Sequence, residues 1–139
     1  MKGLWFICVL ALSLYADPFS DGKNCKEIIF EDEGAEISME GYECFYPKLP
    51  LIEAYKKFKS DSVEEYPGYV VFEQLRADLE IGKSYTDVGE DQNGAIVIQY
   101  DWDNDKALGV YADYESGSMS VQFAQMNNGT RMKVTFVSD

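Results

Sequence analysis

Residues 95–137, AIVIQYDWDNDKALGVYADYESGSMSVQFAQMNNGTRMKVTFV, decide the fold. Apolar side chains recur at every second position in four runs. The first row is Ile96, Ile98, Tyr100 and Trp102, and the second is Leu108, Val110, Ala112 and Tyr114. The third is Met119, Val121 and Phe123, continued by Gln125, and the fourth is Met132, Val134 and Phe136. A period of two is the signature of a strand with one buried face. Between the runs lie short segments rich in Asn, Asp, Ser and Gly, the residues of tight turns. The stretch therefore predicts a four-strand antiparallel meander.

Directly paired residues must share a face, so trial turns can be tested against the rows. A two-residue Asn128-Gly129 turn, a dipeptide favoured in hairpins, pairs Phe123 with Val134 and Val121 with Phe136. A Ser116-Gly117 turn pairs Tyr114 with Met119, Ala112 with Val121 and Val110 with Phe123. In the first hairpin a two-residue loop would set Asp101 against Leu108. A three-residue Asp103-Asn104-Asp105 loop pairs Tyr100 with Leu108 and Ile98 with Val110 instead. The opposite face carries Gln99, Asp101, Asp113, Ser120, Gln122, Lys133 and Thr135, so it is wet. The apolar face needs a cover.

Residues 50–60, PLIEAYKKFKS, supply one. Leu51, Ile52, Tyr55 and Phe58 form an apolar stripe at helical spacing, Pro50 suits the first turn, and Glu53 with Lys57 is a favourable pair. Lys56, Lys57 and Lys59 read as a solvated edge, or as a basic docking patch. Ser62 and Glu65 have the spacing of a capping box for a second short turn, ended by Pro67-Gly68. Leu75, Ala77, Leu79 and Ile81 alternate with charged residues and predict a fifth long strand, with a bulge or bend at Glu73. Residues 83–94 read as a polar loop. KEIIFE (26–31) and GYECFY (41–46) are short strand candidates.

The expected architecture is an α+β fold: a curved antiparallel sheet with the C-terminal four-strand meander packed on one helix. A small all-β barrel with a helical lid is the rival. The order of elements resembles that of the cystatins in topology alone. The cystatin Q-x-V-x-G hairpin is absent, the candidate hairpins reading QLRADLEIG and DWDNDK, and Trp102 follows Asp101 rather than the proline of the second cystatin loop.

The first sixteen residues, MKGLWFICVLALSLYA, have Lys2, an apolar run and a small residue before Asp17. This is the pattern of a secretory leader. The run is shorter than the roughly 20 residues a membrane span needs. Cleavage is expected after Ala16, with Ser13 as the second site, leaving residues 17–139 as one exported domain without a membrane span. The chain has 12 basic and 25 acidic residues, a net −13. Lys2 is the only charge in the leader, so 11 basic and 25 acidic residues remain, a net −14. Such a chain repels nucleic acid and anionic membranes. Cys8 leaves with the leader. Cys25 and Cys44 are then an even pair in an oxidising compartment, and a disulfide is expected.

There is no histidine. Ser-His-Asp and Cys-His catalysis and His-ligated zinc are thereby excluded. Asp101, Asp103 and Asp105 alternate as in a calcium loop, but Lys106 stands where an EF-hand has Gly, and Ala112 where it has Glu. Turn chemistry is the expected role, with calcium at that tip as the alternative. Residues 31–36, EDEGAE, are a second acidic cluster with the same two readings. Glu33 with Asp101 is one conceivable carboxylate pair for glycoside hydrolysis. Asn128-Gly129-Thr130 is an N-glycosylation sequon on an expected turn. Tyr42, Tyr46, Tyr66 and Tyr69 flank the helix, either as core edges or as the lining of a ligand pocket. The expected function is therefore a secreted, non-catalytic binding protein acting on an extracellular protein or a small ligand, with no resident cofactor. A calcium- or mineral-associated acidic protein and a carboxylate-based hydrolase are the alternatives.

Overall fold

A computed structural model describes residues 24–29, 38–90 and 93–138. The leader and the acidic cluster at 31–36, with Glu33, lie outside the described residues. The elements run β1 (Asn24–Ile29), β2 (Ser38–Pro47), α1 (Leu51–Glu65), α2 (Val70–Gln74), β3 (Tyr85–Val88), β4 (Val97–Asn104), β5 (Ala107–Tyr114), β6 (Gly117–Met126) and β7 (Gly129–Ser138). The strands form one antiparallel sheet in the order β1-β2-β7-β6-β5-β4-β3. The sheet is open, with β1 and β3 at its edges, so the fold is the α+β arrangement and not the barrel. Cys25 and Cys44 are directly opposed on β1 and β2 and form a disulfide. In the chain-entropy model a closed loop of this length contributes about 3 kcal/mol.

Apart from Ile96, the four apolar rows face the helices as expected, but every hairpin register is displaced by two residues. The structure pairs Phe123 with Met132 and Val121 with Val134. It pairs Ala112 with Met119 and Val110 with Val121, and Ile98 with Ala112 and Tyr100 with Val110. The loops are Asn127-Asn128, Glu115-Ser116 and Asp105-Lys106, with a bulge between Trp102 and Asn104. Gly117 and Gly129 are the first residues of their strands, with φ of 157° and 151°. A Cβ on Gly129 would stand 2.3 Å from the Tyr46 carbonyl oxygen, and one on Gly117 2.0 Å from that of Val137. The glycines answer to the neighbouring strand, so they sit in the ladder and not in the loop.

Helix α1 is longer than expected and buries Leu51, Ala54, Tyr55, Phe58 and Ser62. Ser62 is thus an inward-facing position of the helix, not the cap of a second turn. Pro67-Gly68 follows its end. The Leu51 amide donates to Gln125 Oε1 at 2.8 Å, so the residue that ends the third apolar row caps the helix N-terminus.

The expected strand over 75–81 is absent. Residues 70–74 are helical and 75–84 irregular. Leu75 is buried and Leu79 half-buried, but Ala77 is exposed and Ile81 is 60% exposed. The backbone there is held by side chains instead of a ladder. Tyr55 donates from its hydroxyl to the Arg76 carbonyl at 2.6 Å, Lys59 Nζ donates to that of Leu75 at 2.6 Å, and the Arg76 amide donates to the Tyr100 hydroxyl at 2.9 Å. The real strand is β3, inside the expected polar loop. Its Tyr85 packs edge-on against the paired Tyr100, ring centroids 6.3 Å apart. Ile96, the first of the apolar row, precedes β4 and is exposed.

Gly129→Ala is expected to destabilise the fold by at least about 2 kcal/mol, because backbone must move to admit the methyl group. Asn128→Ala is expected to cost less than about 1 kcal/mol. Urea denaturation of the two variants checks the register, since an Asn128-Gly129 turn would free Gly129 from the Tyr46 carbonyl.

Candidate functional site

The inward stripe of α1 changes character along its length. Tyr55 and Phe58 meet Phe123 of β6 edge-on at 5.8 and 5.9 Å and fill the core beneath the helix. One turn later the inward residue is Ser62, 3% exposed, whose side chain is too small to reach the sheet. A cavity of about 660 Å³ opens there, within the usual range for small-molecule sites. Tyr42 and Tyr46 of β2, with Met132 and Phe136 of β7, line its sheet side. Phe58, Ser62, Glu65 and Tyr66 line the helix side, Tyr69 and Phe72 one flank, and Tyr114 with Ser116 another. Cys25 brings the disulfide into the wall.

The aromatic wall is assembled ring on ring. Tyr66 stacks on Phe72 with centroids 5.6 Å apart, and Tyr69 meets Tyr66 edge-on at 5.9 Å. Phe72 in turn meets Phe58 edge-on at 6.0 Å. Across the hollow, Tyr42 leans on Phe136 at 6.5 Å. The Tyr46 hydroxyl, deep in the site, points at the thioether of Met132, 4.0 Å away, a weak acceptor. Burial raises the pKa of Tyr42 and Tyr46 far above the ordinary phenol value, with the neighbouring phenols and the Glu65 carboxylate adding to it. Tyr66 is raised by burial and then by Glu65, Tyr69 and Glu40, and Tyr114 by burial and then by Tyr69 and Glu40. These phenols are neutral across the physiological range. They offer a ligand O–H donors and ring faces rather than a base or a nucleophile.

The rim is acidic. Among the described residues Glu27 of β1, Glu40 of β2 and Glu65 of α1 border the cavity, with Lys26 as the one cation. Lys26 reaches Glu43 outside the cavity at 3.8 Å.

All four tyrosines that flank the helix in sequence line this cavity. Sequence reading missed Phe72, Tyr114 and Ser62. Ser62 carried a signal in its place one turn beyond Phe58 on the stripe, but a serine there also reads as a cap. The aspartates lie elsewhere. Asp101, Asp103 and Asp105 are exposed at the β4–β5 tip, where the Lys106 amide donates to Asn104 Oδ1 at 2.8 Å in a side-chain-closed turn. Among the described residues no group of three or more Asp, Glu, Cys or His side chains is placed to hold a metal ion. Asn128 is exposed on its turn. Thr130 of the same sequon is fully buried and donates to the Leu49 carbonyl at 2.8 Å. Lys56 pairs with Glu53 at 3.9 Å and Lys57 with Asp61 at 3.6 Å, while Lys59 holds the Leu75 carbonyl. The lysines of α1 are thus engaged within the fold. Among the described residues no helix is long and apolar enough to cross a membrane.

A raised phenol pKa is a stability statement. The folded state keeps the proton that the unfolded chain gives up near pH 10, so the contribution is complete below about pH 10 and is lost as the pH rises beyond it. Tyr42, Tyr46, Tyr55 and Tyr100 all share this direction. In a spectrophotometric titration at constant temperature their ionisation is expected to coincide with loss of the near-UV circular dichroism signal, not to precede it. The chemistry of this cavity is the guide to function, since no family model, no curated protein and no solved structure matches the chain.

Proposed function

We infer that the protein is a secreted, non-catalytic binding protein and that the cavity between α1 and β2–β7 takes a small ligand with an apolar or aromatic body. The single observation that carries this reading is the 660 Å³ hollow lined by tyrosine and phenylalanine rings in a domain of this size. The hollow is open to solvent at one end and has the volume of a small-molecule site. Its aromatic walls supply apolar contact and its phenol and serine hydroxyls supply orientation. The leader pattern and the Cys25–Cys44 disulfide support export to an oxidising, extracellular compartment, and the exposed Asn128 side chain leaves room for a glycan.

The neutral fluorophore N-phenyl-1-naphthylamine is expected to bind one-to-one with a rise in fluorescence. Tyr69 is 62% exposed, so Tyr69→Ala is expected to keep the melting temperature within a few degrees while weakening binding several-fold, by about 1 kcal/mol. Ser62→Trp fills the hollow and is expected to abolish the signal. A fluorophore that ignores both changes, or does not bind at all, contradicts the reading.

A further inference from the structure

We propose that the ligand of this cavity is an organic ammonium ion, a primary or methylated amine on an apolar body, held between the rim carboxylates Glu40 and Glu65 and the ring faces of Tyr66, Tyr69 and Tyr114. This rests on the small-ligand reading above and goes further by assigning the charge of the ligand.

Three features agree on that charge. The first is the rim. Among the described residues the carboxylates Glu27, Glu40 and Glu65 border the opening with Lys26 as the one cation, and Lys26 reaches Glu43 outside the cavity at 3.8 Å. An anionic head group entering here meets like charge and must shed its water to do so. A cationic one meets charge of the opposite sign. The second is the wall. Aromatic faces carry a negative quadrupole, and a cation seated on several of them is held by about 0.5–2 kcal/mol per favourable ring contact. Tyr66, Tyr69 and Phe72 are packed on one another from one flank, so their positions are set before a ligand arrives. Tyr114 stands on another flank, its hydroxyl tied to the Ser118 carbonyl at 3.2 Å. The third is the long-range field. With a net charge of −13 the whole chain draws cations and repels anions.

The placement of the two principal carboxylates is specific. Glu40 stands on β2 and Glu65 in the last turn of α1, so they approach the tyrosine cluster from the sheet and from the helix. Both lie in electrostatic reach of the Tyr66 phenol, and Glu40 also reaches that of Tyr114. Deeper in, Ser62 and Tyr46 are both more than nine-tenths buried and border the hollow. The cavity is thus graded: acidic and aromatic at the mouth, where Glu40 is paired with Phe136, and nearly apolar deeper in beside the fully buried Met132. An amine with an aromatic or aliphatic tail matches that gradient with its charge outward and its tail inward.

The test is a calorimetric titration with three indoles of equal reach: tryptamine, neutral 3-propylindole and anionic indole-3-propionate. Tryptamine is expected to bind one-to-one, at least about tenfold tighter than either analogue. Its affinity is expected to fall about tenfold in the Glu40→Gln/Glu65→Gln double variant and to fall with added salt. Both glutamates are exposed, and the near-UV circular dichroism and melting temperature of the double variant should match those of the parent, which separates loss of charge from loss of fold. If 3-propylindole or the carboxylate binds as well as tryptamine, or if the double variant leaves tryptamine unaffected, the ammonium assignment is overturned while the small-ligand reading stands. If the fluorophore binds but none of the indoles does, the assignment is equally overturned. If neither fluorophore nor indoles bind, the underlying reading fails with it.

Discussion

A sheet seven strands wide is broader than one helix can cover. Its six inter-strand gaps span about 29 Å at roughly 4.8 Å each, whereas a helix with its side chains is about 10 Å across. Helix α1 lies over β6 and β7. On one side the remaining apolar surface is closed by the irregular segment 75–84, tied down by Tyr55, Lys59 and Tyr100. On the other side, over β2 and β1, the described backbone offers no second cover of that kind. Tyrosine and phenylalanine side chains reach across instead, and where Ser62 replaces a large residue they leave a hollow. Among the described residues the cavity is what α1, α2 and the segment 75–84 leave uncovered on the seven-stranded sheet.

That hollow is held open by interactions far apart in sequence. β2 pairs with β7 along ten residues, which brings Tyr42 and Tyr46 beside Met132 and Phe136. The chain then leaves β2 at Lys48, the one non-glycine described residue with positive φ, at 64°. The Lys48 amide donates to the Asn128 carbonyl at 2.8 Å, Thr130 donates to the Leu49 carbonyl, and the Leu51 amide is capped by Gln125. Three contacts thus anchor the start of α1 to the β6–β7 hairpin. The angle at which the helix crosses the sheet, and with it the space beneath its last turn, follows from them. Each carbonyl or amide so engaged is one that a strand end or helix end would otherwise leave unpaired.

Much of this was legible in residues 95–137. A period of two names the buried face of each strand whatever the loop, so the rows of Leu108, Val121 and Val134 were readable without coordinates. The registers were not. Asn-Gly and Ser-Gly read as turns, yet Gly117 and Gly129 are required by carbonyls on strands that the local sequence does not name. An error of two residues keeps parity, which is why the faces survived it. The segment 75–81 failed for a related reason: alternation there records which side chains turn inward from an irregular chain, and its backbone partners lie in α1 and β4. At the site, four tyrosines were visible as a group because they flank the helix. Their convergence depended on the β2–β7 pairing, and the role of Ser62 depended on its being small.

The central claim is that the space beneath the last turn of α1 is a binding site rather than loosely packed core. The methyl resonances of ¹³C-labelled methionine test it directly. The chain has five methionines. Met132 lines the cavity, Met119 is buried in the core, and Met126 is exposed at the β6–β7 turn. On titration with N-phenyl-1-naphthylamine the account predicts a saturable shift at Met132, with Met119 and Met126 nearly unmoved. A shift centred on Met126, or none at Met132 at saturating fluorophore, would contradict it.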